Sequence, residues 1–448
     1  MRAGAFRRGA AVVGLVVLGG VLTGGAAIGL ILLLRGISLL AFGSAAEPDL
    51  TGASAGGDPL SWARRLVPPV AGGLIAGLAW WALRRHGPAP TVNALVRAAG
   101  DARHPAGRPR VWLRTVADAA TQILVVATGG SIGREAAPRL AAAGLVSDLT
   151  ARAPLSSDLR RVLIGAAAGA GLAAVYNVPI TGVLFTTTIV LAGAPARDGE
   201  TRERPGAARR LLRRAVGSGW SWRAVLCAAP MSAIASVLAW TVIGSGPRLP
   251  LPPLDPSWTD VAFALGGGVV AGLAGHGFAA VSGRARRSAI GPGVRLVLGV
   301  AAVGLVVGLA SFWLPVGGNG LALLEPALRD AETLPVLLAY IVAKPLLTSA
   351  YLRSGAVGGV LMPALSTGAA VGAAAALLTG QPSAAAFGVI GAAACLAASE
   401  RAWIFAAAIT WEMTRAPWHL GLCLVAAAVV GRLVAAAMDA LAPRAAAD

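Results

Sequence analysis

Between Ala10 and Leu34 the chain runs for about 25 residues without a charge, enough to cross the roughly 30 Å core of a bilayer as one helix. Arg7 and Arg8 stand before this stretch and Arg35 follows it. A cleavable leader would have a shorter apolar core and a cleavage site, so the segment reads as an uncleaved membrane helix. The composition agrees: 56% of residues are hydrophobic and 13% charged, where soluble domains carry about 25% charge. In lipid each backbone polar group must be satisfied within its own segment or a closed barrel. With helical stretches of this kind, an all-α integral membrane protein is expected.

Further apolar segments run approximately 10–42, 66–83, 111–132, 136–147, 162–174, 178–195, 222–243, 260–282, 294–315, 333–352, 358–378, 384–398, 402–414 and 417–438. Several hold only about 12–17 residues, too few to span the hydrocarbon as a helix. Short segments broken by Gly or Pro are tolerated at membrane depth where they are buried or line a cavity. That pattern points to a channel or transporter, in a fold of many tilted, partly non-spanning helices.

The net charge is +18, and its cations are Arg except for Lys344. Arg197, Arg202, Arg204, Arg209, Arg210, Arg213, Arg214 and Arg223 crowd residues 196–223; Arg284, Arg286 and Arg287 form a second group. Basic loops of a membrane protein remain on the cytoplasmic side. Residues 196–223 therefore read as a basic cytoplasmic loop of a plasma-membrane protein, with both termini cytoplasmic. The bilayer is the first partner, and its anionic headgroups suit these loops. No recognition module supports binding to nucleic acid. Cys227, Cys395 and Cys423 lie in apolar runs without metal or redox spacing, and His86, His104, His276 and His419 are scattered. No metal or cofactor is expected. Nor is an enzyme, since Gly-x-Ser-x-Gly, His-Glu-x-x-His and paired-Asp helix motifs are missing.

Glu135 stands out against this background. It follows an uncharged stretch from Ala119 to Gly133, and the next acidic residue is Asp148. Moving a carboxylate from water to low dielectric costs at least a few kcal/mol unless it is paired, protonated or beside a wet cavity. Glycines precede it in Gly130-Ser131-Ile132-Gly133-Arg134-Glu135, and a second glycine break runs Ser354-Gly355-Ala356-Val357-Gly358-Gly359-Val360-Leu361-Met362-Pro363. The segments 133–190 and 355–414 are alike in outline: a break, an Ala/Gly-rich helix, then a short connector and another helix. Two such halves mark an internally repeated transporter; the repeats extend over approximately 60–195 and 260–440 of a single membrane domain, 1–448. Backbone N–H groups at a helix start favour an anion. An ionised Glu135 would occupy that same place until protonation or a competing anion displaces it.

On these residues the chain resembles the CLC family of chloride channels and proton-coupled chloride transporters. Gly133-Arg134-Glu135 resembles the family's Gly-Lys/Arg-Glu-Gly-Pro motif, whose Glu is the external gate. The second break is similar to its Gly-x-Phe-x-Pro motif, which gives backbone amides to chloride. Tyr176-Asn177-Val178-Pro179-Ile180-Thr181-Gly182 resembles the Asn-Ala-Pro connector. Ala397-Ala398-Ser399-Glu400-Arg401-Ala402 and Trp411-Glu412-Met413-Thr414 resemble a later segment, and Pro90 marks the place of the first motif, Gly-Ser-Gly-Ile-Pro. The likeness covers roughly residues 10 to 440 in the family's order. It implies a CLC-type fold in two inverted-topology repeats, a homodimer with one anion path per subunit, and no cytosolic regulatory domain. The implied site has Glu135 as gate and Gly133, Arg134, Ala136, Gly358, Gly359, Val360 and Leu361 around the anion. Gly87 or Pro88 would supply a first-motif contact.

The departures shape the expected function. Gly87 or Pro88 stands where the family offers a serine hydroxyl, Ala136-Ala137 replaces Gly-Pro, and Leu361 replaces Phe. No tyrosine follows Tyr351, so the family's late tyrosine has no counterpart. Anion binding should lean on backbone amides and be weak. The inner Glu of the family's exchangers falls at Ile189, with Thr188 beside it; neither carries a proton. Thr186, Thr187 and Thr188 could line a polar inner path, but Thr in a membrane helix more often bonds back to the preceding turn. Lys344 and Glu412 are read as structural or interfacial charges, and Arg139 as snorkelling to an interface. The expected function is passage of chloride or similar small anions through a Glu-gated path, channel-like or weakly coupled. Alternatives are proton/chloride antiport by an unconventional proton route, fluoride export, and a non-conducting scaffold or sensor.

Overall fold

A computed structural model of the chain describes residues 2–45, 50, 61–85, 87–88, 90–99, 111–192, 221–255 and 257–441. Of the basic loop 196–223, all but residues 221–223 lies outside them. The described residues are helical, as expected, and contain no strand. In chain order the helices are α1 (Arg2–Phe42), α2 (Ser61–Arg84), α3 (Val92–Ala98), α4 (Val111–Ala127), α5 (Ala136–Ala151), α6 (Ser157–Tyr176) and α7 (Pro179–Phe185). A π-helical turn, Thr186–Val190, continues α7. Then come α8 (Trp222–Ile243), α9 (Trp258–Leu265), α10 (Gly267–Arg287), α11 (Val294–Ala310), α12 (Leu321–Ala327) and α13 (Leu334–Arg353). The last are α14 (Leu361–Leu378), α15 (Ala385–Glu400), α16 (Trp403–Thr414) and α17 (Trp418–Leu441).

Among the described residues, seven helices are long and apolar enough to cross a membrane, or eight if α9 and α10, bent by 40° at Gly266, count as one span. α5 has 16 residues and reaches only about 24 Å, short of a bilayer core. α3 and α12 have 7 residues each and were hidden in the sequence by their brevity. Large apolar side chains on α8, α13 and α17, such as Leu226, Val342 and Leu422, are exposed, as suits contact with lipid.

The helices group into two compact units, residues 1–33, 86–120 and 135–248 in one, 34–85, 121–134 and 249–448 in the other. The first unit is built around α6, buried from Leu163 to Tyr176. Its small residues let α5, α7 and α8 approach closely; a Cβ at Gly171 would stand 2.5 Å from the Pro138 carbonyl oxygen. The second unit is centred on α14 and α15, both buried along nearly their whole length. There Gly368 and Gly391 lie across from each other, and a Cβ on either would overlap the other's carbonyl.

Candidate functional site

The two glycine breaks have the same backbone. Two residues past the end of α4 stands Gly129, with φ +94°, and two past the end of α13 stands Gly355, with φ +95°. In that left-handed region a Cβ costs roughly 1–2 kcal/mol, which glycine avoids. The Gly129 N–H donates to Val126 O at 3.0 Å and the Gly355 N–H to Leu352 O at 3.2 Å. The Gly130 N–H donates to Val125 O at 2.8 Å and the Ala356 N–H to Tyr351 O at 3.0 Å. One register shift relates all of these pairs. The same shift brings Gly133 onto Gly359, and these two are joined: the Gly133 N–H donates to Gly359 O at 2.9 Å and the Gly359 N–H to Gly133 O at 2.8 Å.

That bridge narrows the expected anion contacts. Gly133 and Gly359 donate their amides to each other, so they shape the breaks and do not offer those N–H groups to a ligand. A Cβ at the neighbouring Gly358 would lie 2.5 Å from Ile132 Cδ1, so its glycine serves the close approach of the two segments. Ala136 opens α5 and Leu361 opens α14. The residues before them, Glu135 and Val360, make no side-chain cap. The first four N–H groups of a helix have no intrahelical acceptor, and the macrodipole is positive there. α3 is different: Thr91 Oγ1 accepts from the Ala94 N–H at 3.1 Å and closes its start.

Glu135 is fully buried, at 0% exposure. The Tyr176 hydroxyl, at the end of α6, donates to Glu135 Oε2 at 3.4 Å. Packing of α6 on α5 at Gly171 brings it there; in the sequence Tyr176 was merely the residue before the connector. Arg134 is buried. Arg139, one turn along α5, lays its guanidinium over the Phe185 ring, 4.9 Å from the centroid, and so is held by an aromatic face. Gly87 and Pro88 present carbonyls, not amides, to a cation: Arg114 Nη2 donates to them at 3.0 and 3.4 Å.

Several connector residues have structural work. Asn177 ends α6 in the left-handed conformation, with φ 57°. Its Nδ2 donates to Ser245 O at 3.0 Å and Gly246 O at 2.9 Å, and its Oδ1 accepts from Trp240 Nε1 at 2.7 Å. The threonines near position 189 sit in the π-helical turn. Thr186 donates to Gly182 O, Thr187 to Val183 O and Thr188 to Leu184 O, at 3.0, 3.1 and 2.7 Å. Their hydroxyl protons are thus committed to the turn behind them, while Ile189 offers no proton-carrying group. Lys344 is fully buried in α13, and its Nζ donates to Val316 O at 3.0 Å and Gly318 O at 2.7 Å. The Gly318 N–H in turn donates to Gly129 O at 3.1 Å, so this ammonium braces the segment that holds the first break.

The sequence profile described as voltage gated chloride channel matches residues 72–197 and 214–436. The chain belongs to this CLC family. A putative chloride channel protein ClcB-like from Ralstonia nicotianae is 31% identical over 404 residues, 85% of this chain and 84% of that protein. The voltage-gated ClC-type chloride channel ClcB of Citrobacter koseri is 28% identical over 323 residues, covering 69% of this chain and 68% of the relative. Among solved structures, a slow cyanobacterial Cl-/H+ antiporter aligns over 95% of this chain and 94% of its own, with TM-score 0.73 and 21% identity. A CLC-type fluoride/proton antiporter aligns over 95% of both chains, with TM-score 0.67 and 17% identity. The fold is that of CLC transporters, and the chain is a multi-pass membrane protein of a family that transports chloride.

Proposed function

We propose that this protein carries chloride, or a similar small anion, along a path gated by Glu135, in a channel-like or weakly proton-coupled manner. The observation that carries this reading is a wholly buried carboxylate at the uncapped start of α5, two residues beyond a glycine bridged to the second break. The start of α5 suits chloride, since the N–H groups and dipole of a helix start favour an anion. In the first unit the start of α5 at Ala136 is the proposed anion contact; in the second, Gly358, Val360 and Leu361 before and at α14 are, with Arg134 adding a favourable field. Partial charges of this kind hold an anion weakly enough to release it. Protonation of Glu135 removes its charge, and the side chain leaves the path.

Ile189 and the committed threonines argue against the family's usual inner proton route. Antiport by another route is the second reading, favoured by the buried carboxylate of Asp118 on α4. Reconstitution in liposomes with an outward chloride gradient tests the proposal. Chloride efflux that increases as pH falls is expected; vesicles that retain chloride, fluoride and nitrate alike would point to a scaffold or sensor. Assembly as a homodimer belongs to the same proposal, and the subunit count of the purified protein in detergent tests it.

A further inference from the structure

α4 carries a polar stripe that passage of an anion past Glu135 does not require. Thr115, Asp118 and Gln122 recur at helical spacing and share one face. All three are buried, Asp118 at 2% exposure and Gln122 at 1%. A carboxylate at such a place in a membrane helix costs several kcal/mol that an apolar side chain would not.

Two contacts fix where the Thr115–Asp118 part of this face lies in the first unit. The Trp112 N–H donates to Asp148 Oδ2 of α5 at 3.2 Å. A Cβ at Gly144 of α5 would overlap Thr115. α4 and α5 therefore run antiparallel where Thr115 meets Gly144, and Asp118 lies one turn beyond that contact toward the end of α4. Glu135 precedes α5 at the end of this hairpin toward which α4 runs, and water is the carrier a proton needs between the two carboxylates. Gln122, one turn beyond Asp118 on α4, has a buried amide with no protein partner at either Nε2 or Oε1. It has two donors and an acceptor with which to orient water.

The charged and titratable groups on these elements are Arg114 and Asp118 on α4, Glu135, Arg139, Asp148 and Arg152 of the α5 segment, and Asp158, Arg160, Arg161 and Tyr176 on α6. Arg114, Arg152, Arg160 and Arg161 gather where α4 starts, α5 ends and α6 starts. By the positive-inside rule that end faces the cytoplasm. Asp118 thus lies between a cytoplasmic arginine cluster and Glu135.

We propose that Asp118 is the inner proton station, a proton-carrying residue that takes the place left by Ile189. The proposal rests on the reading of Glu135 as the gate and supplies its weak coupling to protons. Asp118 takes a proton from the cytoplasmic side. Its O–H bond then breaks as the proton moves to an intervening water, which releases one of its own protons to the Glu135 carboxylate. Asp118 is left ionised and Glu135 neutral.

The test uses the full chain in liposomes with a chloride gradient, recording chloride efflux and proton movement together. The wild type is expected to move protons against their gradient. Asp118→Asn should lower proton flux by about tenfold or more while chloride flux stays within about threefold, and Asp118→Glu should restore the protons. Gln122→Leu, which leaves Asp118 in place, should also reduce proton flux with chloride flux kept. Wild-type chloride flux without proton movement overturns the proposal and leaves the chloride reading intact. Proton-to-chloride ratios equal to wild type in Asp118→Asn, or in Gln122→Leu should Asp118→Asn not be recovered, overturn it as well. Absence of any wild-type chloride flux overturns the gate itself.

Discussion

The two glycine breaks share a backbone and differ in their side chains. Gly129 and Gly355 turn the chain in the same way, the same hydrogen bonds follow, and Gly133 pairs with Gly359. Even the turning carbonyls are both tied: Gly129 O accepts from the Gly318 N–H at 3.1 Å, and Gly355 O from Arg84 Nη2 at 2.8 Å. Yet the register that matches these glycines sets Glu135 against Leu361, and Asp118 against Lys344. The first break carries two carboxylates, groups that gain and lose protons. The second carries an apolar side chain and an ammonium pinned by two carbonyls. The duplicated backbone thus carries carboxylates at one break and an apolar side chain with a pinned ammonium at the other.

If the backbones are equivalent, the heaviest damage should come equally from either turning glycine. Gly129→Val and Gly355→Val each force a β-branched residue into positive φ. Their Cβ atoms would stand 3.0 Å from Leu50 Cδ1 and 2.6 Å from Ile290 O. A loss of about 3 kcal/mol or more is expected for both, seen as failure to recover monodisperse protein; a well-behaved Gly355→Val beside a lost Gly129→Val would break the equivalence.

A smaller effect tests the fixed charge. Lys344→Met leaves two carbonyls without charge-assisted donors but removes a buried ammonium, for a net loss of about 2 kcal/mol. Its thermal midpoint in detergent should fall further than that of Lys344→Arg. Next, Gly358→Ala displaces Ile132 and with it the approach of the breaks, raising the chloride concentration for half-maximal flux by about threefold. Smallest is Tyr176→Phe. The 3.4 Å bond it removes is long, worth about 0.5 kcal/mol, so flux at fixed pH should change by about twofold. Since that hydroxyl donates to the gate and holds it in place, the change should be an increase.

What was legible in the sequence follows from how local each signal is. Glu135 and the glycines showed themselves because a carboxylate and flexible backbone are costly in an apolar run. Most long helices did so because about 20 apolar residues leave little alternative. The bend at Gly266, the π-helical turn at Thr186–Val190 and seven-residue α3 and α12 were not legible, as each depends on packing by distant segments. The pairing of Gly133 with Gly359 joins residues far apart in the chain, and it reassigns two amides that looked available to an anion. Tyr176 reaches Glu135 only through the crossing of α5 and α6. Asp118 was masked by its position soon after Arg114, near the start of its helix, where a charge reads as interfacial.

The central claim is that the carboxylate of Glu135 closes the path and its protonation opens it. Chloride efflux from liposomes, measured from neutral to acidic pH for the wild type and Glu135→Gln, tests this most directly. The wild type should conduct faster as pH falls. Glu135→Gln, fixed in the uncharged form, should conduct at least as fast as the acidified wild type at every pH. A Glu135→Gln protein that keeps the wild-type flux and the wild-type pH response would contradict the account.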